Sequence, residues 1–313
     1  MNPVSAMKTR DPVTFGKVGL LVGGDSAERE VSLDGGKAVL AALQRSRIAT
    51  EMFDGSGALF EAINNDRIDR VFNLVHGPGG EDGAIQGALQ LMNIPVTGAG
   101  LLGSALSMDK VRSKWVWQRQ GINTPEFTLL RHNESLADEF IETWGLPLFV
   151  KPAGLGSSIG ISKVRHCKDI EAAVSLAREY SETVIVEPEV KGSEYFAGII
   201  GDIVLPLIRI ETPRDFYDYT AKYESDDTCY FCPCGLPEDV EKKMQALSLD
   251  AFRALDCSGW GRVDFIMDKA GEPWFLEVNT TPGMTGHSLV PQAAAKMGIG
   301  FDELVWRILE SSL

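Results

Sequence analysis

Apolar residues along this chain switch between short unbroken runs and stretches with helical spacing. Residues 17–22 (KVGLLV) form a compact apolar run ending at Gly23-Gly24, and in residues 32–44 Val39, Leu40 and Leu43 recur at helical intervals. Residues 70–75 (RVFNLV) repeat the strand signature, residues 83–92 the helical one, and residues 94–97 read as a further short strand. This alternation predicts a doubly wound parallel sheet wrapped by helices, with ligands at the carboxyl ends of its strands. Those ends carry GGDSAERE (residues 23–30) and HGPGGEDG (residues 76–83).

The pattern then changes character. A helix is predicted over 107–120, with Gly121 placed to stop it. Strands over 148–151 and 160–164 flank a glycine- and serine-rich loop, residues 152–159. Residues 168–180 are amphipathic, with Ile170, Ala173, Val174 and Ala177 on one face. A strand over 183–186, strands within 199–210, a long helix over 237–256, a hairpin near Gly271 and a closing helix over 301–309 complete the reading. The fold class is therefore α/β followed by α+β.

Charge narrows the partners. With 30 Lys plus Arg against 44 Asp plus Glu, the net charge is −14, which argues against a nucleic-acid partner but leaves room for one nucleotide held by a few lysines. No stretch approaches the ~20 apolar residues of a membrane span. Residues 1–16 carry charges and prolines without an apolar core, so a flexible extension is expected there, not an export signal. Five cysteines fit a reducing, cytoplasmic setting. Cys229, Cys232 and Cys234 are clustered but lack the second ligand pair that structural zinc needs.

The segment 261–279 (GRVDFIMDKAGEPWFLEVN) carries the clearest chemistry. Val263, Phe265 and Met267 alternate with Arg262, Asp264 and Ile266, and a charged, glycine-containing turn follows. Pairing centred between Ala270 and Gly271 sets Asp264 opposite Glu277, with Arg262 beside the one and Asn279 beside the other. Two carboxylates and an amide on one patch call for a hard cation, Mg²⁺ or Mn²⁺. An exposed acidic hairpin is the plainer alternative. Against it stands the loop PAGLGSSIG (residues 152–160), preceded by Lys151, whose small residues let backbone N–H groups and the hydroxyls of Ser157 and Ser158 wrap phosphate oxygens. It is no Walker A loop, because the Gly-Lys-Ser/Thr ending is absent. With Lys110, Lys151 and Lys222, these features suggest a nucleotide triphosphate held between two sheets.

In order along the chain, GGDSAEREVSLDGG, HGPGGEDGAIQG, SALSMDKVRSK, KPAGLGSSIGISKV, FYDYTAKYESD, YFCPCGL, GWGRVDFIMD and EVNTTPGMTGHSLVP closely resemble the D-alanine–D-alanine ligases in their short bacterial form. That resemblance implies the ATP-grasp superfamily, which activates a carboxylate as an acyl-phosphate and passes it to an amine. It implies a Rossmann-like substrate domain over 17–98, a central subdomain with the phosphate loop over 99–187, and a C-terminal subdomain with metal site and lid over 188–313. The implied reaction joins two D-alanine molecules at the expense of ATP, for peptidoglycan precursors. ATP, two Mg²⁺ or Mn²⁺ ions and a cytoplasmic homodimer without membrane or nucleic-acid partners go with it.

Carried over residue by residue, the resemblance implies that Glu28 holds the first alanine's ammonium and that His76 sits near the reacting carboxylate. Ser157 and Tyr223 would hydrogen-bond with Glu28 as a lid over residues 215–228 closes around Lys222. Arg262 would neutralise the developing oxyanion, and Ser288 would bind the second alanine's carboxylate. Lys110 and Lys151 correspond to phosphate-binding lysines, Ser158 to the loop, Glu187 to Val190 to the adenine hinge, and Glu194 to the ribose ligand. Asp264, Glu277 and Asn279 correspond to the metal ligands. Pro188 and Glu189 depart from the usual hinge, Glu189 standing where some relatives have an aromatic residue. The rival readings are an ATP-grasp ligase with another second substrate, a non-catalytic nucleotide sensor, and a dinucleotide oxidoreductase. Arg262, Asp264, Glu277 and Asn279 speak against the sensor, and the lack of G-x-G-x-x-G speaks against the oxidoreductase.

Overall fold

The computed structural model describes residues 7–217 and 227–313. Three sheets organise them. The first contains β1 (Val18–Val22), β2 (Thr50–Asp54) and β3 (Arg70–Asn73) in the order β2-β1-β3, all parallel, with α1 (Arg29–Arg45), α2 (Ser56–Asn64) and α3 (Ala84–Leu91) as its helices. β2 escapes the hydrophobic pattern because it is an edge strand that buries only Phe53. Residues 94–97 contribute a single bridge, Val71 to Val96, not a strand. Pro95 has no N–H to extend a ladder, and the Asn73 N–H turns to the Thr97 hydroxyl instead (3.1 Å).

The helix predicted over 107–120 is two helices, α4 (Leu101–Met108) and α5 (Lys110–Arg119). Asp109 breaks them apart: its backbone is extended and its carboxylate accepts the Arg112 N–H (3.0 Å), making it the N-cap of α5. The break frees the Lys110 N–H to bond the Ala153 carbonyl (3.0 Å), which anchors the glycine-rich loop. Gly121, at φ +73°, ends α5 in the left-handed region.

The second sheet is antiparallel, β4 (Thr128–Leu130), β5 (Leu148–Pro152), β6 (Ser162–Val164) and β7 (Val184–Pro188), ordered β4-β7-β5-β6. With α6 (Asp138–Trp144) nearby, α7 (Ile170–Arg178) covers it through Ile170, Ala173, Val174 and Ala177, the face the sequence pattern predicts. The third sheet holds β8 (Gly192–Ile200), β9 (Ile203–Val204), β10 (Ile208–Glu211), β11 (Cys229–Phe231), β12 (Trp260–Asp268) and β13 (Pro273–Asn279), ordered β11-β10-β8-β12-β13 with β9 on β8. Its helix α8 (Glu238–Ala254) receives α5: Trp117 is fully buried and donates its indole N–H to the Ala251 carbonyl (2.9 Å). Residues 101–119 thus pack with the third sheet, although they precede the second in sequence.

The closing helices, α9 (Leu289–Lys296) and α10 (Phe301–Glu310), return to the beginning of the chain. One apolar core unites Val39 and Leu43 of α1, Leu304 and Ile308 of α10, and Phe196 and Ile200 of β8. Residues 7–16, within the stretch expected to be a flexible extension, are docked on α10. Phe15 is fully buried edge-on against Trp306 (centroids 5.0 Å apart), and the Thr9 N–H bonds Glu310 Oε1 (2.8 Å).

Candidate active site

The β12–β13 hairpin builds the wall of the site. Asp264 pairs directly with Glu277, Val263 with Val278, and Arg262 with Asn279, the register centred between Ala270 and Gly271. Nearer the turn the register slips by one residue, and Phe265 pairs with Phe275. The extra residue is Leu276. Strict alternation would put Phe275 on the same face as Glu277; the bulge lets Phe275 and Val278 join the core while Glu277 faces the cleft.

Arg262 and Asp264 lock together on that wall. The guanidinium donates Nε–H to Oδ1 and Nη2–H to Oδ2, both at 2.7 Å, and Asn279 donates its amide N–H to Oδ2 (3.1 Å). Burial alone would lower the Arg262 pKa, but the Asp264 carboxylate outweighs it and keeps it raised, so the guanidinium stays charged. Glu277 faces Lys110 Nζ at 2.9 Å, and the same ammonium donates to the Leu155 carbonyl (2.8 Å).

On one side of this wall lies a cavity of about 300 Å³ lined by Glu28, His76, Glu81, Ser157, Arg262 and Ser288, among others. Besides β12 and the glycine-rich loop, the turn after β1, the loop after β3, and the loop between β13 and α9 meet there. Burial pushes the His76 imidazole down, so it is neutral, with Glu28 and a Thr281 backbone hydrogen bond pulling weakly the other way. Ser157 is 7% exposed, and its hydroxyl has no hydrogen-bond partner among the described residues. The bond to Glu28 implied by the resemblance is therefore not formed here, although both side chains line one cavity. Ser157 and Ser158 sit at φ +56° and +57°, a left-handed pair that turns the loop sharply into the cleft. Ser288 is the N-cap of α9 and accepts the Thr285 N–H at 3.0 Å. Lys222 and Tyr223 lie outside the described residues, as does most of the lid expected over 215–228.

On the other side is a narrower cavity of about 100 Å³, between the second and third sheets. Phe149, Ile161, Val190, Phe216 and Ile266 give it apolar walls; Lys110, Lys151, Asp264 and Glu277 give it a charged end; Ser158, Glu187 and Glu194 also line it. Ser158 donates its hydroxyl to the Tyr217 carbonyl (3.1 Å). Glu187 is buried between Lys151 (2.6 Å) and Lys114 (2.8 Å). Burial works to raise its pKa, but the two ammonium groups prevail and hold it at about 2. Glu189 pairs with Lys163 at 2.6 Å, an ion pair in place of an aromatic residue.

Sequence reasoning missed three residues here. Lys114 was legible in principle: with Lys110 it repeats at i, i+4 on the face of α5 that also carries Val111 and Trp117. Tyr217 lines both cavities and shares a hydrogen bond with Tyr230 (3.0 Å), yet FYDYTAKY offers three tyrosines with nothing to rank them. Glu81 staples two loops 200 residues apart, accepting the Gly77 N–H (2.8 Å) and the Thr281 N–H (2.9 Å). Burial, reinforced by the Glu28 charge, lifts its pKa from 4.5 to about 8 despite those two donors. An acid raised in this way holds a proton in the native state that the unfolded chain releases, so stability falls as pH climbs from about 5 to 8. Glu81→Gln should flatten that slope; chemical denaturation of both proteins at pH 5, 6.5 and 8 measures it.

A phosphate-sized charged end, apolar walls between two antiparallel sheets, and an adjoining pocket that converges on Arg262 define the ATP-grasp class of carboxylate-activating ligases. Comparisons with known proteins give the particular family. The profile described as "D-ala D-ala ligase C-terminus" matches residues 116–310, and "D-ala D-ala ligase N-terminus" matches residues 56–99. The D-alanine--D-alanine ligase of Nitrosomonas europaea is 50% identical over 306 residues, covering 98% of this chain and 99% of its own. Among solved structures, the Bacillus anthracis D-alanine--D-alanine ligase complexed with ATP superposes with a TM-score of 0.83 at 30% identity, covering 95% of this chain and 97% of its own. The VanG D-Ala:D-Ser ligase of Enterococcus faecalis gives 0.83 at 32% identity, covering 95% and 99%. The chain belongs to the D-alanine–D-alanine ligase family.

Proposed function

We propose that this protein is an ATP-dependent ligase that joins two D-alanine molecules through an acyl-phosphate, with release of ADP and phosphate. The observation that carries the reading is the shared wall: Arg262 and Asp264 stand between the two cavities, so a carboxylate bound on one side and a terminal phosphate on the other meet at β12. In the first step the carboxylate of one alanine attacks the γ-phosphate. Lys110 and Lys151 take up charge on the transferring group, and the Gly/Ser loop encloses it. In the second, the amine of the other alanine attacks the acyl-phosphate, and Arg262 stabilises the tetrahedral oxyanion before phosphate leaves.

Within the substrate cavity, Glu28 receives the first ammonium, neutral His76 lies beside the reacting carboxylate, and Ser288 at the α9 N-terminus receives the second alanine's carboxylate. Glu187 to Val190 and the apolar walls take the adenine, and Glu194 the ribose. Asp264, Glu277 and Asn279 fit a hard divalent ion: all three can present oxygen, and the carboxylates face each other across one strand pair. Mg²⁺ or Mn²⁺ held by these residues would neutralise charge on the triphosphate. Among the described residues no three His, Cys, Asp or Glu side chains form a metal cluster, and the amide oxygen of Asn279 would stand as the third protein ligand beside the two carboxylates.

We place the enzyme in the cytoplasm as a homodimer; no helix among the described residues is long and apolar enough to cross a membrane. The test is phosphate release with ATP, Mg²⁺ and D-alanine, with L-alanine, D-lactate and D-serine as alternatives. D-alanine alone should sustain turnover. The VanG likeness supplies the second reading, and faster ligation with D-serine as second substrate would establish it instead.

A further inference from the structure

Lys114 is 1% exposed and lines neither cavity, yet it carries a charge into the floor of the nucleotide cleft. Its ammonium is ion-paired with Glu187 Oε1 (2.8 Å) and donates hydrogen bonds to Thr124 Oγ1 (2.8 Å) and the Pro125 carbonyl (3.1 Å). Thr124 passes its own hydroxyl proton to the Phe275 carbonyl (2.8 Å), two residues from Glu277. One ammonium therefore connects α5, β7 and, through Thr124, β13. The other oxygen of Glu187 holds Lys151, which does line the cleft.

We infer that Lys114 is a positioning residue for the triphosphate: by sharing Glu187 with Lys151, it leaves the cleft the net positive charge that Lys151 offers to phosphate. Two ammonium groups on one carboxylate give a unit with one surplus positive charge. Without Lys114, Lys151 and Glu187 form a neutral, buried pair, and phosphate must compete with Glu187 for Lys151. Because Lys114 makes no contact with the cleft, its effect should grow with the charge of the ligand and vanish for an uncharged one. The inference rests on reading this cleft as the triphosphate site.

Calorimetric titration with ATP, ADP and adenosine tests it on the intact protein and on K114M, K114R, K151M and the double variant K114M/E187Q. K114M should weaken ATP about tenfold, a single-charge effect across a partly screened distance, and leave adenosine unchanged. K114R should restore affinity to within about threefold, the span of under one kcal/mol that rearranged hydrogen bonds take. The double variant decides the matter: it removes the buried charges together and returns the surplus charge to Lys151, and because Glu187 also belongs to the adenine hinge, its ATP affinity is read against its adenosine affinity, a ratio that should lie within about threefold of that of the unaltered protein. A purely structural Lys114 predicts that the ratio of ATP to adenosine affinity in the double variant is no better than in K114M and that K114M weakens adenosine as much as ATP; either result overturns the inference. Should K114M not fold, the double variant stands in for it, and a tenfold fall there in ATP affinity relative to adenosine overturns the inference too. If K151M binds ATP normally, the reading of the cleft itself fails.

Discussion

Glu277→Ala will abolish ATP-driven phosphate release, with a loss of at least about a thousandfold, while the protein remains folded. The side chain is 18% exposed and faces the cleft, so its removal opens no hole in the core. What it removes is one of the two facing carboxylates on the wall that meets the triphosphate, and the anion opposite Lys110. That lysine keeps its bond to the Leu155 carbonyl, so the loop anchor survives. Phosphate release and the thermal unfolding midpoint should be followed on the same preparation. A variant that unfolds normally and still turns over would remove Glu277 from the chemistry.

Arg262→Ala should cost both activity and stability. The guanidinium makes two parallel bonds to Asp264, which is only 3% exposed, and lies over the Phe196 ring (4.9 Å). Removing it takes both guanidinium bonds from a buried carboxylate that still accepts from the Asn279 amide, a loss on the order of 3–5 kcal/mol. The same change deletes the fixed positive charge facing the oxyanion, for about 10²–10³-fold in kcat. Arg262→Lys separates the two effects: the charge persists but the planar fork does not, so stability should recover more than kcat. Equal recovery of both would mean that Arg262 acts only by holding Asp264.

The parts of this site that follow from local periodicity were readable in the sequence. The cross-strand meeting of Asp264 and Glu277 follows from turn position and alternation alone. The buried face of α7 follows from its 3.6-residue repeat. The slip at Leu276 was not readable, because either placement of Phe275 satisfies a hydrophobic pattern; only the need to bury Phe275 and Val278 together selects the bulge. The division at Asp109 was harder to read, since Ser107, Met108 and Lys110 all tolerate a helix and the local cap on Arg112 is joined by a long-range bond, Lys110 N–H to Ala153, that no local pattern shows. Glu81 and Lys114 depend on partners roughly 200 and 70 residues away, Thr281 and Glu187, and no local signal ranks such acids and lysines above their neighbours. The docking of residues 7–16 is likewise long-range, resting on Trp306 and Glu310.

The packing of α10 against α1 dictates the order in which the molecule can be completed at the ribosome. Val39 and Leu43 leave the exit tunnel early, but Leu304 and Ile308, which seal them, follow only after the second and third sheets have been made. The first sheet must therefore wait, its outer helix partly uncovered, until α10 emerges. Shortening the chain by its last ten residues would leave that early-made lobe permanently without its lid of leucine and isoleucine, and open to chaperone capture.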